Sequence, residues 1–211
     1  VALLLRKCAV SLALLLSAVS AHAAEGDKSW DPIALDEQQV RWAADELAAT
    51  PHMAEVFTAP LGYRLERYFW RAQKPAGAFA IVVLRDLTGD DHYLSGPVDL
   101  MKFATTVLKG LEAPTPKALD KADHAEATPN GLASALRFEL GARQCLVIGF
   151  YAAPNGKPPA KSIMLTEGSI RVDGVYCATA GEKMTSARAS AVAQGLTLGR
   201  EAATPAPEMK K

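Results

Sequence analysis

The sequence predicts an α+β fold: a largely antiparallel sheet with helices packed on one face. Three observations carry that expectation. Strand-like segments follow one another with turn residues between them, most clearly over 132–152. Three other stretches, beginning near 36, 97 and 185, show apolar residues at helical spacing. Strands and helices do not alternate regularly, as a parallel doubly wound sheet would require.

Taken in order, the first 23 residues predict a secretory signal peptide. Arg6 and Lys7 give a positive start, 8–18 is almost purely apolar, and Ala21-His22-Ala23 supplies an A-x-A exit. Cleavage is expected after Ala23. The apolar run is short for a membrane anchor, which needs about 20 residues. A lipid-anchored form would need Cys at the cleavage point, whereas Cys8 precedes the apolar centre and leaves with the leader. Residues 24–199 are expected to form one globular domain, and 200–211 a disordered tail.

Asp36 and Gln39 have the spacing of a capping box, with Leu35 and Val40 placed as a hydrophobic staple. A helix is therefore predicted from 36 to Thr50-Pro51. Val40, Ala43, Ala44, Leu47 and Ala48 form its inner stripe, and Trp42 points away from it. The aromatic-rich segment 62–72 and the apolar run 79–84 read as two paired strands around the turn residues Pro75-Ala76-Gly77. A polar loop over 86–96 leads to a second helix, with Pro97 in its first turn and Gly110 at its end. Leu100, Met101, Phe103, Ala104, Val107, Leu108 and Leu111 face its core side. Residues 112–130 read as a long connection, with a helical turn expected near Ala118 to Ala127. A meander follows: strands at 132–140, 145–152, 162–165 and 170–178, with a turn at 141–144 and a loop around Asn155-Gly156. The last helix begins near Thr185 or Ser186, with Ala187, Ala191 and Leu196 turned inward.

The whole chain holds 23 basic and 23 acidic residues, and loss of Arg6 and Lys7 leaves 21 against 23. So even a balance lacks the clustered Lys and Arg that nucleic acid requires, and it offers no polybasic segment for anionic lipid. The expected partner is an envelope protein or a small molecule. No transmembrane segment is expected after cleavage, and no cofactor.

Two cysteines remain after export, Cys145 and Cys177. In an oxidising compartment an isolated pair bonds, and a redox or metal pair would call for C-x-x-C or neighbouring histidines. A disulfide between two side-by-side strands is expected.

The segment RVDGVYCATAGEKMTSARASAVAQGL, carrying Gly174, Tyr176, Cys177 and Ala178 before a short helix, resembles the C-terminal end of small exported bacterial proteins of unknown function. The resemblance implies a sheet closed by a terminal helix and transfers no active site. The order of elements also resembles the PsbP-like sandwich, a fold of accessory proteins.

No G-x-S-x-G, H-E-x-x-H or phosphate-binding Gly-rich Lys-Ser/Thr motif occurs. Two polar clusters remain. Asp86, Asp90, Asp91 and His92 could hold a divalent cation, though turn-forming residues between a strand and a helix account for the same composition. Arg64, Arg67, Tyr68, Trp70 and Arg71 could present aromatic faces and guanidinium forks to a ligand, or serve as strand packing. Trp42 is a third candidate surface residue, though packing under a loop accounts for it more simply. His52 and His124 read as surface loop residues, and Tyr151 and Tyr176 as sheet packing. The function expected is an exported binding or accessory protein without catalysis. The alternative is a small metal-assisted hydrolase built on Asp90, Asp91 and His92.

Overall fold

A computed structural model describes residues 30–59, 63–72, 77–87, 94–95, 99–109, 114–152, 167–168 and 170–199. The expected signal peptide, the loop residues Asp90, Asp91 and His92, the strand at 162–165 and the expected tail lie outside the described residues.

The main sheet is wholly antiparallel. Its first half is a meander of β3 (Met53–Thr58), β4 (Arg64–Arg71) and β5 (Phe79–Asp86), with the short β1 (Asp31–Pro32) on the outer edge of β3. The second half runs β12 (Ile170–Cys177), β10 (Arg143–Ala152), β9 (Gly131–Leu140), with β7 (Lys117–Ala118) and β8 (His124–Thr128) both on the far edge of β9. The halves join where β5 pairs β12. Two small pairs stand apart: β6 (Leu94–Ser95) with β11 (Glu167–Gly168), and β2 (Val40–Trp42) with β13 (Leu196–Leu198).

Both faces of this sheet are covered. Alternate residues of each strand enter two separate apolar clusters, so β10 buries Leu146, Ile148 and Phe150 on one side and Cys145, Val147 and Tyr151 on the other. That is why its sequence reads as a continuous apolar run. Helix α1 (Leu100–Leu108) lies on the second side, mainly against β9, β10 and β12. Its buried residues Leu100, Phe103, Ala104, Val107 and Leu108 keep the expected spacing. The Asp99 carboxylate caps it by accepting the Lys102 backbone N–H at 2.9 Å. Helix α2 (Ser186–Gly195), capped by Thr185, packs on the first side with the β2–β13 pair.

The expected class is thereby corrected. Strand makes up 50% and helix 18%, and the two α-helices sit on opposite faces instead of sharing one. A sheet buried on one face only would alternate polar and apolar residues, whereas β10 and β12 must fill two cores.

The predicted helix at 36–50 is also absent. One short 3-10 turn, Leu35–Glu37, occupies its start, and Asp36 makes no cap. Val40 and Trp42 instead alternate with exposed Arg41 and pair with Leu198 and Leu196, which alternate about Thr197 in the same way. Trp42 is 2% exposed, not outward-facing. Its Nε1 donates to the Val192 carbonyl at 2.9 Å, and its ring lies against Tyr176. A helix would have turned the indole away from the core, so burying that ring outweighs the local capping signals. Gly174 admits the ring: a Cβ there would meet Trp42 Cζ3 at 2.9 Å.

Three smaller expectations change as well. The connection at 112–130 contains β7 and β8 in place of the expected helical turn. The turn after β9 is confined to Gly141-Ala142, with Gly141 at φ 60°, so β10 already begins at Arg143. In α2 the buried residues are Ala189, Val192 and Ala193, while Ala187 and Ala191 are exposed and Leu196 belongs to β13.

Cys145 and Cys177 are directly opposed on β10 and β12, with Cα atoms 4.1 Å apart, and form the expected disulfide. It closes a loop with a sequence separation of 32. Loop entropy makes such a link worth about 3.7 kcal/mol. Reduction under native conditions, or replacement of both cysteines by Ser, is expected to lower the melting temperature by about 10 °C. Calorimetry with and without reductant measures this.

Candidate functional site

The charged groups of the sheet fall into three sets. On the face shared with α2, β4 carries the fully buried Glu66. Arg64 Nε donates to its Oε1 at 2.5 Å, and the Tyr68 hydroxyl donates to its Oε2. The Tyr68 oxygen in turn accepts the Gln39 backbone N–H at 3.0 Å, fastening the segment before β2 to the sheet. Burial, and then the neighbouring Glu66 carboxylate, push the Tyr68 pKa well above the usual tyrosine range. Trp70 stacks on Tyr68 with ring centroids 5.6 Å apart and is fully buried.

At the far edge, Asp120 takes a bidentate pair from Arg137, with Oδ1 2.6 Å from Nη2, and also accepts the Arg137 backbone N–H. His124 stands between two carboxylates: its Nδ1 is 3.7 Å from Asp120 and its Nε2 is 3.2 Å from Glu126. Ser190 on α2 donates to the other Glu126 oxygen at 2.8 Å. His124 is therefore a strand residue within a chain of polar contacts, not part of a loop. The Ser190 hydroxyl meets a carboxylate instead of the imidazole, so it does not make the nucleophile–base contact of a serine triad with His124. It holds α2 against β8.

The Arg137 hydrogen bonds hold the Asp120 carboxyl below the usual range. A depressed folded pKa gives stability that is present above the unfolded value of about 4 and lost as pH falls through the lower folded one. Asp120→Asn is expected to cost about 1–2 kcal/mol at pH 7. That difference from the parent should close below about pH 4 in urea unfolding at stepped pH.

The third set lies on the face shared with α1. In register across five strands stand Phe57, Leu65, Arg85, Arg171 and Tyr151. The next row on that face includes Glu55, Arg67, Val83 and Asp173. Asp173 is 0% exposed, and two arginines share it. Arg85 Nη1 donates to Oδ2 at 2.5 Å; Arg171 Nε lies 2.8 Å from Oδ2 and 3.1 Å from Oδ1. The flanking hydroxyl belongs to Tyr151, whose oxygen accepts from Arg171 Nη1 at 3.4 Å. Arg67 is closed off separately by Glu55 at 2.5 Å and stacks over Trp30 at 3.8 Å.

Neither a family model, nor a curated protein, nor a solved structure matches this chain.

The sequence-predicted surface around β4 is divided by the pleat. Tyr68 and Trp70 are core residues on one face, while Arg67 and Arg71 project from the other. Trp42 is likewise core. Asp86 ends β5, separated from the face of Arg85 by the same alternation. Among the described residues, no group of three or more His, Cys, Asp or Glu side chains is placed to hold a metal ion. Sequence reasoning missed the Arg85–Asp173–Arg171 set. Its signal was a charge inside an apolar strand: Asp173 interrupts IRVDGVYC, where both neighbouring faces are core.

Proposed function

We propose that the chain is an exported binding protein that works outside the cytosol and holds a ligand without transforming it. The observation that carries this reading is the Arg85–Arg171 pair, fixed on a rigid sheet by a buried carboxylate and still partly open, at 30% and 19% exposure. Recognition benefits from charges whose positions are set before the ligand arrives. The cross-strand disulfide suits an oxidising compartment, and among the described residues no helix is long and apolar enough to cross a membrane. The periplasm is the compartment the N-terminal pattern favours.

Expression of the full chain in a bacterial host tests export and binding together. Envelope material should yield a mature mass lacking residues 1–23, with both thiols resistant to alkylation until reduced. Small-molecule extract from the same compartment should raise its melting temperature by mass action. A retained leader with freely alkylated thiols would refute export, and an unchanged melting temperature would refute ligand binding.

A further inference from the structure

We infer that the Arg85–Arg171 row is an oxyanion site, taking a single carboxylate or phosphate group of a small ligand; this rests on the binding-protein reading above.

The charge balance is the first reason. Arg85 and Arg171 stand directly opposite each other on adjacent strands, an arrangement in which like charges repel. Asp173 cancels one of the two charges. The nearby Arg67 and Glu55 cancel each other. Within the Arg85–Asp173–Arg171 set, two guanidinium charges thus face one carboxylate.

Geometry is the second. Asp173 engages Nη1 of Arg85 and Nε of Arg171, and Tyr151 takes Nη1 of Arg171. Each guanidinium carries five N–H donors, so both keep donors beyond those the carboxylate uses. Two forks set side by side can share the oxygens of one carboxylate or phosphate group.

Buried Asp173 also explains how the pair stays fixed while empty. Its two oxygens hold both side chains against their own repulsion, and the long rotamer-rich arms lose less entropy when a ligand binds. Helix α1 lies mainly over β9, β10 and β12, whereas Phe57 and Leu65, beside Arg85, belong to the other half of the sheet and are half-buried. An apolar substituent next to the anionic group would meet these two side chains.

Inorganic phosphate and sodium benzoate are the probes, with benzamide as the neutral control and sodium chloride to match ionic strength. The Nε–H resonances of arginine in the unmodified, oxidised protein report directly, without a variant. Saturable shifts at Arg85 and Arg171 with phosphate or benzoate, and none with benzamide or chloride, are expected; the stronger anion identifies the head group. Arg85→Gln and Arg171→Gln should each weaken that binding about tenfold or more, the loss of one charge-assisted contact. Exposed Arg71→Gln on the same face should not. Absence of saturation with both anions overturns the site, as does binding in both Gln variants that is as tight as in the parent. The two failures are separable with the envelope extract. A thermal shift that persists in both Gln variants keeps the binding reading and rejects this row, whereas loss of the shift in every form of the protein rejects the reading itself.

Discussion

Gly195→Ala is expected to cost about 3 kcal/mol or more, a fall in melting temperature of about 10 °C. The reason is a backbone contact that no side-chain rearrangement can relieve. A Cβ at this position would lie 1.9 Å from the Ala43 carbonyl oxygen and 2.9 Å from its carbon. The same two residues share a hydrogen bond, Ala43 N–H to the Gly195 carbonyl at 2.9 Å. Moving the 43 backbone away would break that bond and pull on β2, which is only three residues long. Trp42 is the next residue back, and its ring is set against Gly174 with little spare room. The strain would therefore spread to the Trp42–Val192 hydrogen bond and to the β2–β13 pair. Asn130 grips the other end of that pair, donating to the Leu198 carbonyl at 3.0 Å and accepting its N–H at 2.7 Å. Clamped at both ends, the pair has few ways to shift. Gln194→Ala, at the exposed neighbouring position, should stay within about 0.5 kcal/mol of the parent. Equal urea midpoints for the two variants would show that the contact yields without cost.

The elements that sequence reasoning located are those whose pattern is decided locally. The run 79–84 and the alternating 132–140 became β5 and β9 because each strand's own residues announce one or two buried faces. The disulfide was legible because only two cysteines lie outside the expected leader, and each lies in a strand-like segment. Helix α1 keeps a stripe five residues deep, which no partner is needed to recognise. What failed depended on partners distant in the chain. Val40 to Trp42 is a strand only because Leu196 to Leu198 lies alongside it, and Trp42 is buried only because β12 offers a glycine beneath it. Three residues of alternation carry almost no local signal against a good capping box. The face taken by each helix is similarly a matter of how the chain crosses the sheet. The arginine row required the register of β5 on β12, and Arg85 and Asp173 are 88 positions apart. The glycine, tyrosine, cysteine and alanine near the C-terminus now have physical roles. Gly174 receives the Trp42 ring, Tyr176 tilts against it, Cys177 forms the disulfide, and Ala178 hydrogen-bonds the Gln144 carbonyl and accepts from Arg143.

Asp173→Asn is expected to destabilise the fold by about 3 kcal/mol, because it keeps the shape of the side chain and removes the charge that two arginines share. Asp173 is fully buried while its partners are partly open, so much of the cost is the confrontation of Arg85 with Arg171 across one strand pair. Repulsion between partly exposed charges is screened by salt. The deficit should therefore be largest at low ionic strength and shrink as sodium chloride is added. Combining Asp173→Asn with Arg85→Gln removes one of the opposed cations, so the double variant should be less destabilised than the two single losses added together. An oxyanion at the row would take over the missing carboxylate's work, and phosphate should then restore more stability to Asp173→Asn than matched chloride does. Equal rescue by the two salts would mean that only screening is at work and that the row recognises no oxyanion. Unfolding midpoints alike in Asp173→Asn and the parent at low salt would mean that the arginines never depended on the carboxylate, and the geometry proposed for the site would lose its basis.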